Sequence, residues 1–375
     1  FSMTKAAELA KMGEVLTNSQ IGRKNIIING AMQVAQRGTS SSGLGATTAG
    51  YTTLDRYAAY AGSDATAGRY TMSQSAVTDL EGFSNALKID CTTADTSIAA
   101  GEALLIQQGI EGFNLQQLKA TSSSTRAFTL SFYAKSNASR AIVTELLITN
   151  GTNRQASKVH TIGTSWARYT FTVPAASSTQ IDNDNTNEMQ VNFWLHAGST
   201  YSGGTITNVF AANANANRAA GAGSIFSSTD NTLEITGVQL EVGSQATPFE
   251  HRSFAEELQL CKRYYHKLVA TGPYQKFAVG VAFTTDDCMF VFKFNPEMRG
   301  VPTLDHGTLS KLVVTDNDLS GEAIGSLAID TNTDGPQGVS VKAADITSDV
   351  MTAGDATILN ADNDVDAFLA FDAEL

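Results

Sequence analysis

Phe128-Thr129-Leu130-Ser131-Phe132-Tyr133-Ala134-Lys135 sets Phe128, Leu130, Phe132 and Ala134 in one phase and Thr129, Ser131, Tyr133 and Lys135 in the other. Successive side chains of a strand point to opposite faces. This alternation therefore describes a strand buried on one side and polar on the other, the signature of an antiparallel sheet. Tyr169, Phe171 and Val173 alternate in the same way with Arg168, Thr170 and Thr172, and Pro174 stops the run. Val191, Phe193 and Leu195 alternate with Asn192, Trp194 and His196. Leu233 and Ile235 hold one phase while Val238, Leu240 and Val242 hold the other, and Gly237 stands at the switch. An extra residue accommodated at a glycine is a β-bulge. Many such strands joined by Gly- and Asn-rich turns predict an all-β chain with a jelly-roll sandwich at its centre.

Outward from this centre, Leu9, Met12 and Leu16 predict a short N-terminal helix over Thr4–Leu16, followed by a linker from Asn18 to Lys24. Phe1-Ser2 ahead of Met3 reads as a cloning remnant. Ser40–Gly50 is rich in Ser, Gly and Thr, and Ala211–Gly223 in Ala and Asn; both read as surface loops. Ser253 and Glu256 form a capping box. Phe254, Leu258, Cys261, Tyr265 and Leu268 then follow at heptad spacing, predicting a connecting helix that packs on its own domains or on symmetry mates. Beyond Gly272-Pro273, Phe277, Val279, Val281 and Phe283 alternate again. Met289–Phe294 is apolar on both faces apart from Lys293, as expected of a central strand or an interface. The expected domains are 1–24 (helix and linker), 25–252 (jelly roll), 253–271 (connecting helix) and 272–375 (a smaller C-terminal β-sandwich).

Of 375 residues 17% are charged, and the net charge is −12. Thirteen acidic residues against Lys311 and Lys342 place nearly all of that excess between Leu309 and Leu375. Nucleic-acid binding needs the opposite sign. An acidic end keeps a particle soluble or attracts divalent cations. Cys91, Cys261 and Cys288 have no metal-ligand spacing, and their odd number argues against a disulfide framework. No apolar run reaches the roughly 18 residues of a membrane span, and no secretion leader is expected.

Three segments carry a family resemblance. The first is Asn25-Ile26-Ile27-Ile28-Asn29-Gly30-Ala31-Met32 with Gln36-Arg37-Gly38 and Leu54-Asp55-Arg56-Tyr57. The second is Ile235-Thr236-Gly237-Val238-Gln239-Leu240-Glu241-Val242-Gly243 with Ala246-Thr247-Pro248-Phe249-Glu250. The third is Ser253-Phe254-Ala255-Glu256-Glu257-Leu258 with Cys261-Lys262-Arg263-Tyr264-Tyr265. In this order they resemble tail-fibre and receptor-binding proteins of tailed bacteriophages. Residues 25–250 are also similar to jelly-roll carbohydrate-binding modules. The resemblance implies a homotrimer, other virion tail proteins and a host cell-surface glycan as partners, and a place on the virion after folding in the host cytoplasm. Such modules often carry a structural calcium, for which Glu241 is the residue to suspect; its alternative is to end a strand beside a donor such as Arg252. No other cofactor is implied, nor any nucleic-acid partner or membrane insertion.

The chemistry of catalysis is missing from the motifs. There is no Gly-x-Ser-x-Gly elbow, Walker loop or zinc helix, and Gly43-Leu44-Gly45 lacks the third glycine of a dinucleotide fingerprint. The five histidines share no ligand spacing. Asp182–Glu188 and the alternating Asp362, Asp364 and Asp366 supply hard oxygen ligands without an EF-hand pattern, and usually such runs are solvated turns. Tyr133, Trp194, Asn192 and His196 lie in the polar phase of their strands, where they stack on a sugar or fill a subunit interface. The chain is thus expected to be a non-enzymatic attachment subunit. A carbohydrate-binding module of a capsid-decorating or secreted protein, or a polysaccharide-cleaving tail spike, is the alternative.

Overall fold

A computed structural model describes residues 5, 23–45, 49–62, 67–316, 321–330, 335–347 and 351–375. The helix expected over Thr4–Leu16, apart from Lys5, lies outside them, as do residues 18–22 of the linker. The chain divides into two compact units, Phe1–Glu257 with Leu375, and Leu258–Glu374.

The first unit is a jelly-roll β-sandwich. Its six-stranded antiparallel sheet runs, in spatial order, Ser40–Leu44, Arg69–Ala76, Asn85–Thr93, Thr232–Val242, Phe128–Ser136, Ala167–Val173. Its seven-stranded sheet runs Ala211–Ala212, Arg154–Ile162, Arg140–Ile148, Asn187–Ala197, Ala103–Glu111, Ala58–Ala61, Ala49–Tyr51. The inward phases meet in one core that includes Phe128, Leu130, Phe132, Phe171, Val191, Phe193, Leu233 and Ile235. Gly237 carries the bulge: the register slips between Thr236 and Gln239, so Val238 and Leu240 return to the core side. Its φ is +61°, and a Cβ there would come within 2.7 Å of Phe83 and 2.8 Å of Tyr133, so only glycine fits.

The described parts of the stretch read as a loop, residues 40–45 and 49–50, are mostly strand. Ser40–Leu44 pairs with the Arg69–Ala76 strand, and Ala49–Tyr51 pairs with Ala58–Ala61. Small polar residues read as a loop by composition, but an existing strand edge offers them backbone partners that outweigh weak propensity.

The helix of the third segment spans Phe254–Lys262, shorter than the heptad spacing suggests. Tyr265–Val269 is a strand paired with Phe368–Asp372. Pairing with a distant strand overrides the local helical pattern. The seam is therefore dismantled. Phe254 is exposed, Cys261 and Tyr265 are buried, and Leu268 packs against the core of its own unit.

The second unit packs a three-stranded sheet, Tyr265–Val269, Phe368–Asp372, Thr303–Asp305, on a seven-stranded one. The latter runs Gly321–Ala323, Leu312–Thr315, Ala356–Ala361, Lys276–Ala282, Cys288–Lys293, Gly338–Ala344, Ser326–Ile329. Phe371 meets Phe292 and Phe294 at ring separations of 5.1 and 4.9 Å. All three cysteines are buried and outside any disulfide. Among the described residues no helix is long and apolar enough to cross a membrane.

Candidate functional site

The outer side of the seven-stranded sheet in the first unit is covered by the chain itself. Trp194, Asn192 and His196, expected to face outward, are each 1% exposed or less. Residues 198–224, including the Ala/Asn-rich stretch read as a loop, fold across them. Ala219 is fully buried against Trp194, Ala103, Leu105 and Val143, and Tyr201 lies 5.3 Å from the Trp194 ring. Glu145 anchors this cover. Its Oε2 accepts from Asn192 Nδ2 and Trp194 Nε1, both at 2.9 Å. Arg218 donates to both oxygens, Nε to Oε1 at 2.8 Å and Nη2 to Oε2 at 3.0 Å, and stands 5.0 Å over the Trp194 ring. His196 bridges Glu102 Oε2 and Ser224 Oγ at 2.8 Å each, and Ser224 Oγ also accepts from Phe226 N. With His196 and Glu102 sealed from solvent, these three residues brace the end of the cover. The polar phase of this strand is a buried hydrogen-bond layer, so these residues present no sugar platform.

Tyr133 stands on the outer side of the other sheet, half-buried. Register places Arg168 and Thr236 on either side of it, and Lys135 beside Glu234. Trp166, one residue before the edge strand, continues the row. Its Nε1 donates to Asp79 Oδ1 at 2.8 Å, and Lys135 Nζ donates to Asp79 Oδ2 at 2.9 Å while standing 5.0 Å from the Trp166 ring. These hydrogen bonds, that from Lys135 foremost, hold the Asp79 carboxyl below its ordinary pKa. Glu234 lies 3.7 Å from the same ammonium. Phe83 contacts Tyr133, Phe249 and His251 with centroids 5.1 to 5.2 Å apart, so Tyr133 rests on an aromatic base. The result is a half-buried tryptophan and tyrosine among a fixed ammonium, a guanidinium and two carboxylates. Such a surface stacks on an apolar ring face while binding hydroxyls around it.

The same edge strand borders a cleft of about 560 Å³. Lys158, Thr170, Thr172, Thr207 and Asn208 contribute its polar lining, and Lys158 Nζ donates to Thr170 O at 2.7 Å. Its size falls in the range of small-molecule sites. Neither Trp166 nor this cleft stood out as a site in the sequence. The tryptophan sits in a turn outside the alternating run, and the cleft joins strands of two sheets.

The segments that carry the family resemblance form a structural knot. Asn25 Oδ1 accepts from Ile27 N and Leu240 N, and Asn29 donates to Val34 O and Asp55 O. Buried Arg56 donates to Gly109 O, and Glu257 accepts from Asn29 N. Glu241 belongs here too. Its Oε1 accepts from Gln239 Nε2 and Thr247 N at 2.8 and 2.9 Å, and its Oε2 accepts from Thr247 Oγ1 at 2.6 Å. Buried among donors, the carboxylate ties down the turn at Thr247. Thr247 and Gln239, rather than Arg252, are the donors it meets.

The other acidic runs are likewise turned inward on themselves. Asp184 Oδ1 accepts from Thr186, and Glu188 from Thr186 and Asp182 N. Asp364 accepts from Asp366 N, which holds its pKa low, and pairs with Lys311 at 3.2 Å. Among the described residues no three His, Cys, Asp or Glu side chains are grouped to hold a metal.

No family model and no curated protein matches the chain. Among solved structures, a family 30 carbohydrate-binding module is similar at TM-score 0.32 and 11% identity, covering 63% of this chain and 95% of that one. The TmCBM61 module, solved with β-1,4-galactotriose, gives 0.29 at 8% identity over 59% of this chain and all (100%) of that one. The enzymatically active domain of bacteriophage CBA120 tailspike protein 4 gives 0.28 at 11% identity, over 58% of this chain but 21% of that one. Likenesses this slight carry no conclusion about activity, and the jelly roll rests on the strand order and register above.

Proposed function

We propose that the chain is a non-enzymatic attachment subunit of a tailed-phage tail appendage, binding host-surface glycan through the outer face of the six-stranded sheet. The observation that carries this reading is Trp166, half-buried and held by Asp79 and Lys135 in one row with Tyr133. The hydroxyl-lined cleft beside it extends the surface over which a saccharide chain can lie. The phage assignment and the trimer rest on sequence resemblance, since the residues of the expected helical seam divide between a helix and a strand. Binding is weak per site and strengthened by linkage of copies.

The chain has two tryptophans, and Trp194 is sealed. Titration with host-surface oligosaccharides should therefore change the emission of Trp166. Trp166→Ala should weaken binding at least tenfold without altering the fold. Unchanged glycan affinity in that variant removes the proposed face, and release of reducing ends from the polysaccharide removes the non-enzymatic reading.

A further inference from the structure

We propose that the cleft beside the edge strand Ala167–Val173 holds the carboxylate of an acidic sugar unit, with Lys158 as its counter-ion. This rests on the glycan-binding reading of the neighbouring face and names the class of glycan it takes. The cleft joins that edge strand of the six-stranded sheet to Arg154–Ile162 of the seven-stranded one. Among the described residues, nine line its volume of about 560 Å³, and none of them is acidic. Lys158 is the charged member, and it is exposed.

The polar groups of the cleft include donors with capacity to spare. An ammonium carries several protons, and Lys158 Nζ commits one to Thr170 O at 2.7 Å. Thr170 and Asn208 are exposed, and among the described residues the hydroxyl of the first and the amide of the second have no hydrogen-bond partner. The hydroxyls of Thr172 and Thr207 are instead satisfied locally, by Ser244 O and Val209 O at 3.3 Å each. Val159 and Ile206 add an apolar flank against which a sugar ring can lie.

The acidic groups around the cleft are engaged elsewhere. Glu145 is the register partner of Ser157, but its carboxylate is buried under the cover against Arg218, Asn192 and Trp194. Asp79 and Glu234 stand with Lys135 at the Trp166 end. The two ends therefore differ in chemistry. Sugar hydroxyls donate as well as accept, and the Trp166 end offers carboxylates to receive them. The cleft sets an ammonium, a hydroxyl and an amide together without a carboxylate, which favours a ligand group that is negative and only accepts. One ammonium balances one charge, the charge of a sugar carboxylate. Thr170 follows Trp166 by four residues, about 13 Å along the strand, so a ring stacked on Trp166 and a carboxylate at Lys158 belong to different units of one saccharide.

NMR of the full chain with isotope-labelled lysine tests the cleft, the Lys158 signal being identified by its loss in Lys158→Gln. The probes are galacturonate and glucuronate trisaccharides, their carboxyl-reduced counterparts, acetate and inorganic phosphate, all at matched ionic strength. A uronate trisaccharide should shift the Lys158 signal and bind at least tenfold more tightly than its reduced counterpart. Lys158→Gln should erase that preference and Lys158→Arg should keep it. Equal affinity for the acidic and reduced forms overturns the proposal, as does a preference that survives Lys158→Gln or a Lys158 signal that no uronate moves. An equal shift with acetate or phosphate overturns it too, since the cleft would then be an unselective anion site. Trp166 emission in the same titrations reads the stacking face separately. A Lys158 response with unchanged emission rejects that face and leaves the cleft, and an emission change without a Lys158 response does the reverse.

Discussion

Arg218→Ala would strip the buried Glu145 carboxylate of the guanidinium that neutralises it. Glu145 has no exposed side-chain surface and Arg218 is 16% exposed, so water cannot readily replace the lost partner. Breaking one side of a buried ion pair costs about 3 to 5 kcal/mol. Asn192 and Trp194 still donate to Glu145 Oε2, which favours the lower half of that range. Loss of the cation over the Trp194 ring adds about 0.5 to 1 kcal/mol. The expected destabilisation is therefore about 3.5 to 5 kcal/mol. Both tryptophans belong to the first unit, so urea unfolding followed by tryptophan emission isolates its transition. Glu145→Gln combined with Arg218→Met leaves no buried charge and should cost less than Arg218→Ala alone. A loss below about 1 kcal/mol for Arg218→Ala would refute the claim that this ion pair pins the cover to the sheet.

Burial pushes His160 and His266 each down to about 4, with Lys158 and Lys262 adding to the effect. Unfolded histidine titrates near 6.5, so between that pH and about 4 the unfolded chain binds more protons. Stability should be full above pH 6.5 and fall as pH drops toward 4, by up to about 3 kcal/mol for His160, which is 5% exposed. Urea midpoints across this window check the prediction, and His160→Gln should flatten the dependence in the first unit. Gly237→Ala should cost about 1 to 3 kcal/mol, because its Cβ would strike Phe83 and Tyr133 in a left-handed backbone. A midpoint unchanged by that substitution would show that the bulge relaxes freely.

Legibility followed the range of the interaction. The alternation in Phe128–Ser136 and Tyr169–Val173 predicted the strands and their core-facing side, since pattern and pleat share a period of two, while Thr129 and Ser131 of the polar phase are buried as well. The phase switch at Gly237 located the bulge for the same reason. Trp194 was assigned to the wrong environment. Its strand has a polar outer phase, but the partners of that phase are Glu145 and Arg218, supplied from other parts of the chain. An Ala-rich segment suits a cover because small side chains let backbone approach a sheet closely, and composition alone reads the same residues as a loop.

Residue order along single strands thus determined the all-β class, the inward faces and the bulge, because these depend on neighbours within a few residues. The tertiary structure decided which polar phase stayed open. It closed the Trp194 face, left Tyr133 and Trp166 half-buried on the other sheet, and turned Tyr265–Val269 from the end of a helical seam into a strand. Those outcomes depend on what distant segments bury, and no local period encodes the choice of partner.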